Sequence, residues 1–168
     1  NLGMRSITVS TCGLAPVIER FAHDFPQVNL AISLHAPSDE IRSRMMPVNR
    51  KYPLAVLIPA CRRYCELTSR RVTFEYTLVR GVNDSPACAQ KLASLLSGML
   101  CHVNLIPLNR VEETGLVAAE GRTAAEFRAY LESHGVPATI RREMGADIDG
   151  ACGQLRLSAS AHKDGAKK

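Results

Sequence analysis

Short apolar runs and amphipathic stretches alternate along this chain. Arg5–Ser10 centres on the strand-like Ile7-Thr8-Val9 and closes in the polar turn Ser10-Thr11-Cys12-Gly13. Leu14, Val17, Ile18 and Phe21 then recur at helical spacing, with Glu19, Arg20 and Asp24 on the wet side. Val28–Leu34 is an apolar run of the kind buried on both faces of a parallel sheet. Pro37-Ser38-Asp39-Glu40 opens a helix with acids in its first turn, which should stop before Pro47. Leu54–Thr68 predicts a longer helix, with Leu54, Leu57, Ile58, Cys61 and Cys65 on one face and Pro59 either in its first turn or at a kink. Arg71–Leu78 alternates as a strand, and Gly81–Ser85 is a turn running into a helix cap. Pro86–Leu100 follows as a helix that Gly98 would shorten, then the strand Cys101–Ile106, stopped by Pro107. Leu108–Glu120 has no clear period and reads as a functional loop. A helix over Ala124–His134, capped by Gly135, precedes a last strand, Ala138–Arg142.

The resulting order, β-α-β-α-α-β-α-β-α-β, predicts an α/β fold: a mainly parallel sheet with right-handed crossovers and flanking helices. Ligands gather at the carboxyl ends of strands in such sheets. Ser10, Ser33, His35, Asn104 and the stretch around Cys152 all fall at or near those ends. A turn or a strand-end cap accounts for any one of them alone, and it is their convergence that points to a site. Glu75 lies inside its strand, so it must face solvent or a polar lumen.

Length and charge narrow the picture. At 168 residues one domain with a real core is expected. Lys plus Arg exceed Asp plus Glu by 21 − 16 = +5, a modest excess that favours an acidic partner. Part of it sits in the tail, residues 158–168, which reads as basic and flexible beside an ordered 1–157. Six cysteines scattered through apolar or helical contexts, with no signal peptide before them, fit a reducing, cytoplasmic setting. No apolar run approaches the roughly 20 residues that cross a bilayer, so no membrane segment is expected. The chain enters its first strand almost at once, which suggests a fragment.

Candidate chemistry concentrates near the carboxyl end. Gly150 and Gly153 bracket Cys152, leave its thiol uncrowded and let backbone approach a ligand; a glycine-rich turn around a small buried cysteine is the plainer alternative. No glycine pattern matches a dinucleotide or phosphate loop. Asp147-Ile148-Asp149-Gly150 fails as a calcium loop, because its glycine comes too early and no glutamate closes it. Ser10 and Ser33 lack the context of a nucleophile elbow. Cys61 and Cys65, one helical turn apart, read as core residues, and Thr68 stands where an iron–sulfur C-x3-C-x2-C would need its third cysteine.

Several separated blocks carry a resemblance: Ser10–Gly13, Leu30–Pro37, Pro47–Tyr52, Gly81–Asp84, Val103–Pro107 and Asp147–Leu155. In this order they resemble the RlmN-type radical-SAM RNA adenine C2-methyltransferases, over nearly all of the chain except its tail. The resemblance implies the carboxyl-terminal portion of a partial (βα)6 TIM-like barrel, acting in its full-length parent on 23S rRNA and tRNA. It implies S-adenosyl-L-methionine (SAM) contacts at Ser10, at Ser33, Leu34 and His35, and at Asn104. It also implies that Cys152 carries the methyl group as S-methylcysteine and later forms a disulfide with a second cysteine to release the product. The family's 4Fe–4S cluster, reduced by an electron donor, supplies the radical chemistry. Its C-x3-C-x2-C motif, its glycine–glutamate SAM motif, its resolving cysteine and its general base have no counterpart in this sequence. By itself the chain is therefore expected neither to assemble the cluster nor to methylate RNA, and an open half-barrel should expose an apolar sheet edge. Two other classes compete: a noncatalytic RNA- or protein-binding α/β domain derived from this scaffold, and a thiol-redox protein. RNA binding that depends on salt, ignores SAM and survives Cys152→Ala would mark the binding domain.

Overall fold

The computed structural model describes residues 3–107 and 119–141. Strands β1 (Thr8–Thr11), β2 (Asn29–Ser33), β3 (Val72–Leu78), β4 (Cys101–Pro107) and β5 (Ala138–Ile140) form one sheet in chain order, each parallel to its neighbour. Helices α1 (Ala15–Asp24), α2 (Asp39–Met45), α3 (Leu54–Thr68), α4 (Pro86–Leu96) and α5 (Gly121–Ser133) link them, with 3-10 turns at Met4–Ser6 and Pro47–Arg50. The order of strands and helices is the one the hydrophobic pattern predicts.

Alternation within β3 decides which face is covered. Val72, Phe74, Tyr76 and Leu78 are buried and join one core with residues of α1, α3, α4 and α5. Thr73, Glu75 and Thr77 between them are only partly buried and point to the opposite, open face. Sequential parallel strands with right-handed crossovers put every linking helix on one side, which leaves the other side for polar residues.

Element ends depart from the pattern for local reasons. The first predicted strand is split: Met4–Ser6 winds into a 3-10 turn closed by Ser6 Oγ on the Gly3 carbonyl, and pairing begins only at Thr8. The helix expected to run to Leu100 stops at Leu96, because Gly98 takes a left-handed φ of +70°. The Leu100 carbonyl then serves the next strand, accepting from the Val72 amide and from Cys65 Sγ. Helix α3 runs straight through Pro59, on an exposed face beside the exposed Ala55, so water can serve the carbonyl that the missing amide leaves free. Helix α5 starts three residues before its predicted first residue, at Gly121.

The β1 edge lies beside an apolar groove lined by Val9, Val17, Phe21 and Phe25, and Ile7, Val9, Val17 and Phe25 are all exposed. The expected exposed edge is thus present. The described residues contain no helix long and apolar enough to cross a membrane. Residues 108–118 of the predicted loop Leu108–Glu120, and the stretch containing Cys152, lie outside the described residues.

Candidate functional site

The chain leaves β2 through a sharp reversal that builds the site. His35 sits at φ +58°, a left-handed conformation uncommon for a residue with a Cβ. Three contacts hold it there. Its amide donates to the Glu75 carbonyl at 3.2 Å, its carbonyl accepts from Asn83 Nδ2 at 2.7 Å, and its ring Nδ1 accepts from the Thr77 amide at 3.1 Å. An Nδ1 that accepts a backbone N–H carries no proton, so the imidazole is the neutral Nε2–H tautomer and presents that N–H as its donor.

Electrostatics agrees with this tautomer. Burial, reinforced by the nearby Arg42 guanidinium, lowers the His35 pKa from 6.5 to about 4. Between those values the unfolded chain binds a proton that folded His35 refuses, so stability falls as pH drops through this window. The expected loss reaches about 3 kcal/mol once pH is at or below the folded value. Urea unfolding at pH 7 and pH 4.5 checks it: His35→Asn, which tolerates the left-handed backbone and does not titrate, should show a visibly smaller difference between the two pH values. Equal differences in the two proteins would refute the assignment.

Arg42, one turn into α2, is fully buried and ties the strand ends together. Its Nη2 donates to the Cys12 carbonyl at 2.7 Å and the Ser33 carbonyl at 3.1 Å, its Nε to the Leu34 carbonyl at 3.0 Å, and its Nη1 to Asn49 Oδ1 at 2.9 Å. Asn49 Nδ2 in turn donates to Asp39 Oδ1 and Ser43 Oγ, and Asp39 Oδ1 accepts from the Leu54 amide at the start of α3. Burial pulls the guanidinium below its ordinary pKa. Gly13, at φ +107°, passes close beneath this side chain, where a Cβ would lie 3.1 Å from Nη2 and from a Leu57 methyl.

Asn83 does for β3 what Arg42 does for β1 and β2. Fully buried, it donates through Nδ2 to the carbonyls of His35 and Thr77 and accepts from the Val79 amide at 2.7 Å, while its own carbonyl takes the Tyr76 hydroxyl. Across the open face, Ser33, Glu75, Asn104 and Thr139 stand at one level of the ladder. Asn104 Nδ2 donates to Glu75 Oε1 at 3.1 Å and Thr139 Oγ1 donates to Asn104 Oδ1 at 3.0 Å.

No family model matches the chain. It is 56% identical over 155 residues to the probable dual-specificity RNA methyltransferase RlmN of Desulforudis audaxviator, covering 92% of this chain and 49% of that protein. This chain is a relative of RlmN. The RlmN of Thermoanaerobacter sp. strain X514 is 52% identical, over 92% of this chain and 45% of its own length. A solved radical SAM methyltransferase from Sphaerobacter thermophilus superposes with a TM-score of 0.88 at 54% identity, covering 92% of this chain and 45% of that one. The chain therefore spans about half the length of the relatives it matches. A domain of a pyruvate-formate lyase-activating enzyme from Bacteroides vulgatus shares the fold at a TM-score of 0.65 and 18% identity, with 80% of each chain covered.

Of the residues that the RlmN resemblance singles out, the sheet brings Ser10, Ser33 and Asn104 onto the open face and sets His35 just beyond the end of β2. Asn104 stands in the middle of β4 rather than at its carboxyl end. Leu34 is fully buried; its amide donates to the Glu75 carbonyl and its carbonyl accepts from Arg42 Nε. Cys152 lies outside the described residues. Arg42, Asn49 and Asn83 were not legible as site-building residues. Arg42 differs in no sequence feature from Arg44, which is exposed and pairs with Glu40, whereas Asn83 in its Gly-Val-Asn-Asp turn offered a weak signal.

Cys61 and Cys65 are buried in the core as their spacing predicts, with Cys88 and Cys101. Burial pushes the Cys61 thiol up to about 12 and the Cys101 thiol up to about 11, and raises Cys65 too. Thiols held protonated in this way are poor nucleophiles and poor metal ligands, which counts against a redox role for them.

Proposed function

We propose that this chain is the SAM-holding part of a radical-SAM methyltransferase that modifies C2 of adenine in 23S rRNA and tRNA, with Cys152 as its methyl carrier. The observation that supports this most is the match to RlmN proteins over 92% of the chain, combined with a polar open face that carries Ser10, Ser33 and Asn104 beside His35.

The donor set suits SAM. Hydroxyls at Ser10 and Ser33, the Nε2–H of a neutral His35 and the second amide N–H of Asn104 are groups that hold ribose, carboxylate and ring nitrogens. When bound, SAM supplies an electrophilic methyl group and, after reduction, the power to abstract a hydrogen atom. Arg42 and Asn83 keep the strand ends fixed, so the ligand meets a preformed surface and little ordering remains at binding. A 4Fe–4S cluster does not fit the residues here: the described ones contain no group of three His, Cys, Asp or Glu side chains that could hold a metal, and burial raises the thiols of Cys61, Cys65 and Cys101. Cluster ligands, electron donor and the partner cysteine of a Cys152 disulfide are assigned to the part of the parent protein that this chain does not span. A cytoplasmic setting, where RNA and reduced thiols coexist, suits the assignment.

The coding sequence upstream of Asn1 is the first test. An in-frame C-x3-C-x2-C, followed by formation of 2-methyladenosine in 23S rRNA by the extended protein, supports the proposal, and Cys152→Ala should then abolish the product in mass spectra of digested RNA. A start codon at this point with no such motif would leave a binding domain.

A further inference from the structure

One buried acceptor on the open face has no partner among the described residues. Glu75 projects from the middle of β3, between Phe74 and Tyr76, which point into the core. The hydrogen bonds at its level run in one direction. Thr139 commits its proton to Asn104 Oδ1, so in its 2.9 Å contact with His102 Nε2 the imidazole is the donor. Asn104 fixes its amide by that bond and donates Nδ2 to Glu75 Oε1. The chain of donors ends on the carboxylate. Its other oxygen, Oε2, is shielded from solvent and takes no hydrogen bond from any described residue.

A structural role does not account for such an atom. Glutamine would accept the same bond from Asn104 without a charge, and an unpartnered buried carboxylate oxygen weakens the fold that contains it. We propose that Glu75 Oε2 is a ligand-binding atom that accepts a hydrogen bond from a ribose hydroxyl of the bound adenosyl group. This rests on the SAM reading above and adds a residue to it. The flanking groups, Ser33 and Asn104, are neutral, and the level offers one free carboxylate oxygen. That suits a hydroxyl, which has one proton to donate, better than an ammonium with three. Carboxylates recognise ribose hydroxyls in the same way in dinucleotide sites.

The test is calorimetric titration of the 168-residue chain and its Glu75→Gln variant with S-adenosylhomocysteine, adenosine, 2′-deoxyadenosine and 3′-deoxyadenosine. Glu75→Gln should melt at the same or a higher temperature, yet bind S-adenosylhomocysteine at least tenfold more weakly. The original chain should prefer adenosine to one of the two deoxy analogues, and the variant should lose that preference. A variant that keeps its affinity and preference, while Ser33→Ala weakens binding, overturns the Glu75 assignment and leaves the SAM reading standing. Equal loss for adenosine and both deoxy analogues overturns the ribose assignment. An original chain that binds none of the four overturns both.

Discussion

Arg42→Ala is expected to lower the unfolding free energy by about 4 kcal/mol, the range found when one partner of a buried charged network is removed. The change deletes a guanidinium that serves three backbone carbonyls and Asn49 at once, and leaves the buried Leu34 carbonyl and Asn49 side chain without that donor. Arg42→Lys keeps the charge but replaces a planar fork by a single point, which cannot reach the ends of β1 and β2 and Asn49 together. It should recover less than half of the loss. Urea unfolding of the three proteins at pH 7 checks both statements, and an alanine effect under about 1 kcal/mol would show that the carbonyls find other partners. Because Arg42 draws together the carbonyls of Cys12 and Ser33, the same substitutions should also weaken adenosyl binding even though Arg42 itself is fully buried.

Asn83→Leu should be nearly as damaging, by about 3 to 4 kcal/mol, since three short hydrogen bonds to buried backbone are removed without replacement. Asn83→Asp is the sharper experiment. It keeps an oxygen for the Val79 amide but turns the other end into an acceptor facing the carbonyls of His35 and Thr77. Repulsion there should make it at least as unstable as the leucine variant at pH 7, with partial recovery on acidification as the carboxyl protonates and donates again. If the aspartate variant were as stable as the original, the assigned orientation of the amide would be wrong. Either variant should also free His35 from its left-handed backbone, visible as a change in the imidazole nitrogen shifts.

What the sequence made legible follows from range. Periodicity is local, so the apolar runs of β2, β3 and β4 and the amphipathic faces of α1 and α3 could be read within a residue or two. Glycines gave the stops, though Gly98 acted sooner than the helix-forming residues before it suggested. The ends of the apolar runs put Ser10 and Ser33 near the carboxyl ends of their strands, whereas Asn104, expected there too, stands in the middle of β4. Buried polar residues are different. Whether Arg42 lies inside or outside depends on carbonyls contributed by Cys12, Ser33 and Leu34, and no pattern within α2 encodes them. Glu75 was legible as a residue that could not face the core, but not as one with a spare oxygen, because that depends on Asn104 and Thr139 from two further strands.

The uncovered side of β1 has a direction as well as an apolar character. A newcomer that continues the sheet in the sense of its neighbours must run parallel to β1, and a second copy meeting it about a twofold axis presents its own β1 the other way round. Symmetric pairing therefore interrupts the one-way grain of the sheet. Only an unlike segment, or a copy added head to tail, can extend that grain, whereas a symmetric pair turns the sheet from parallel into mixed at its seam.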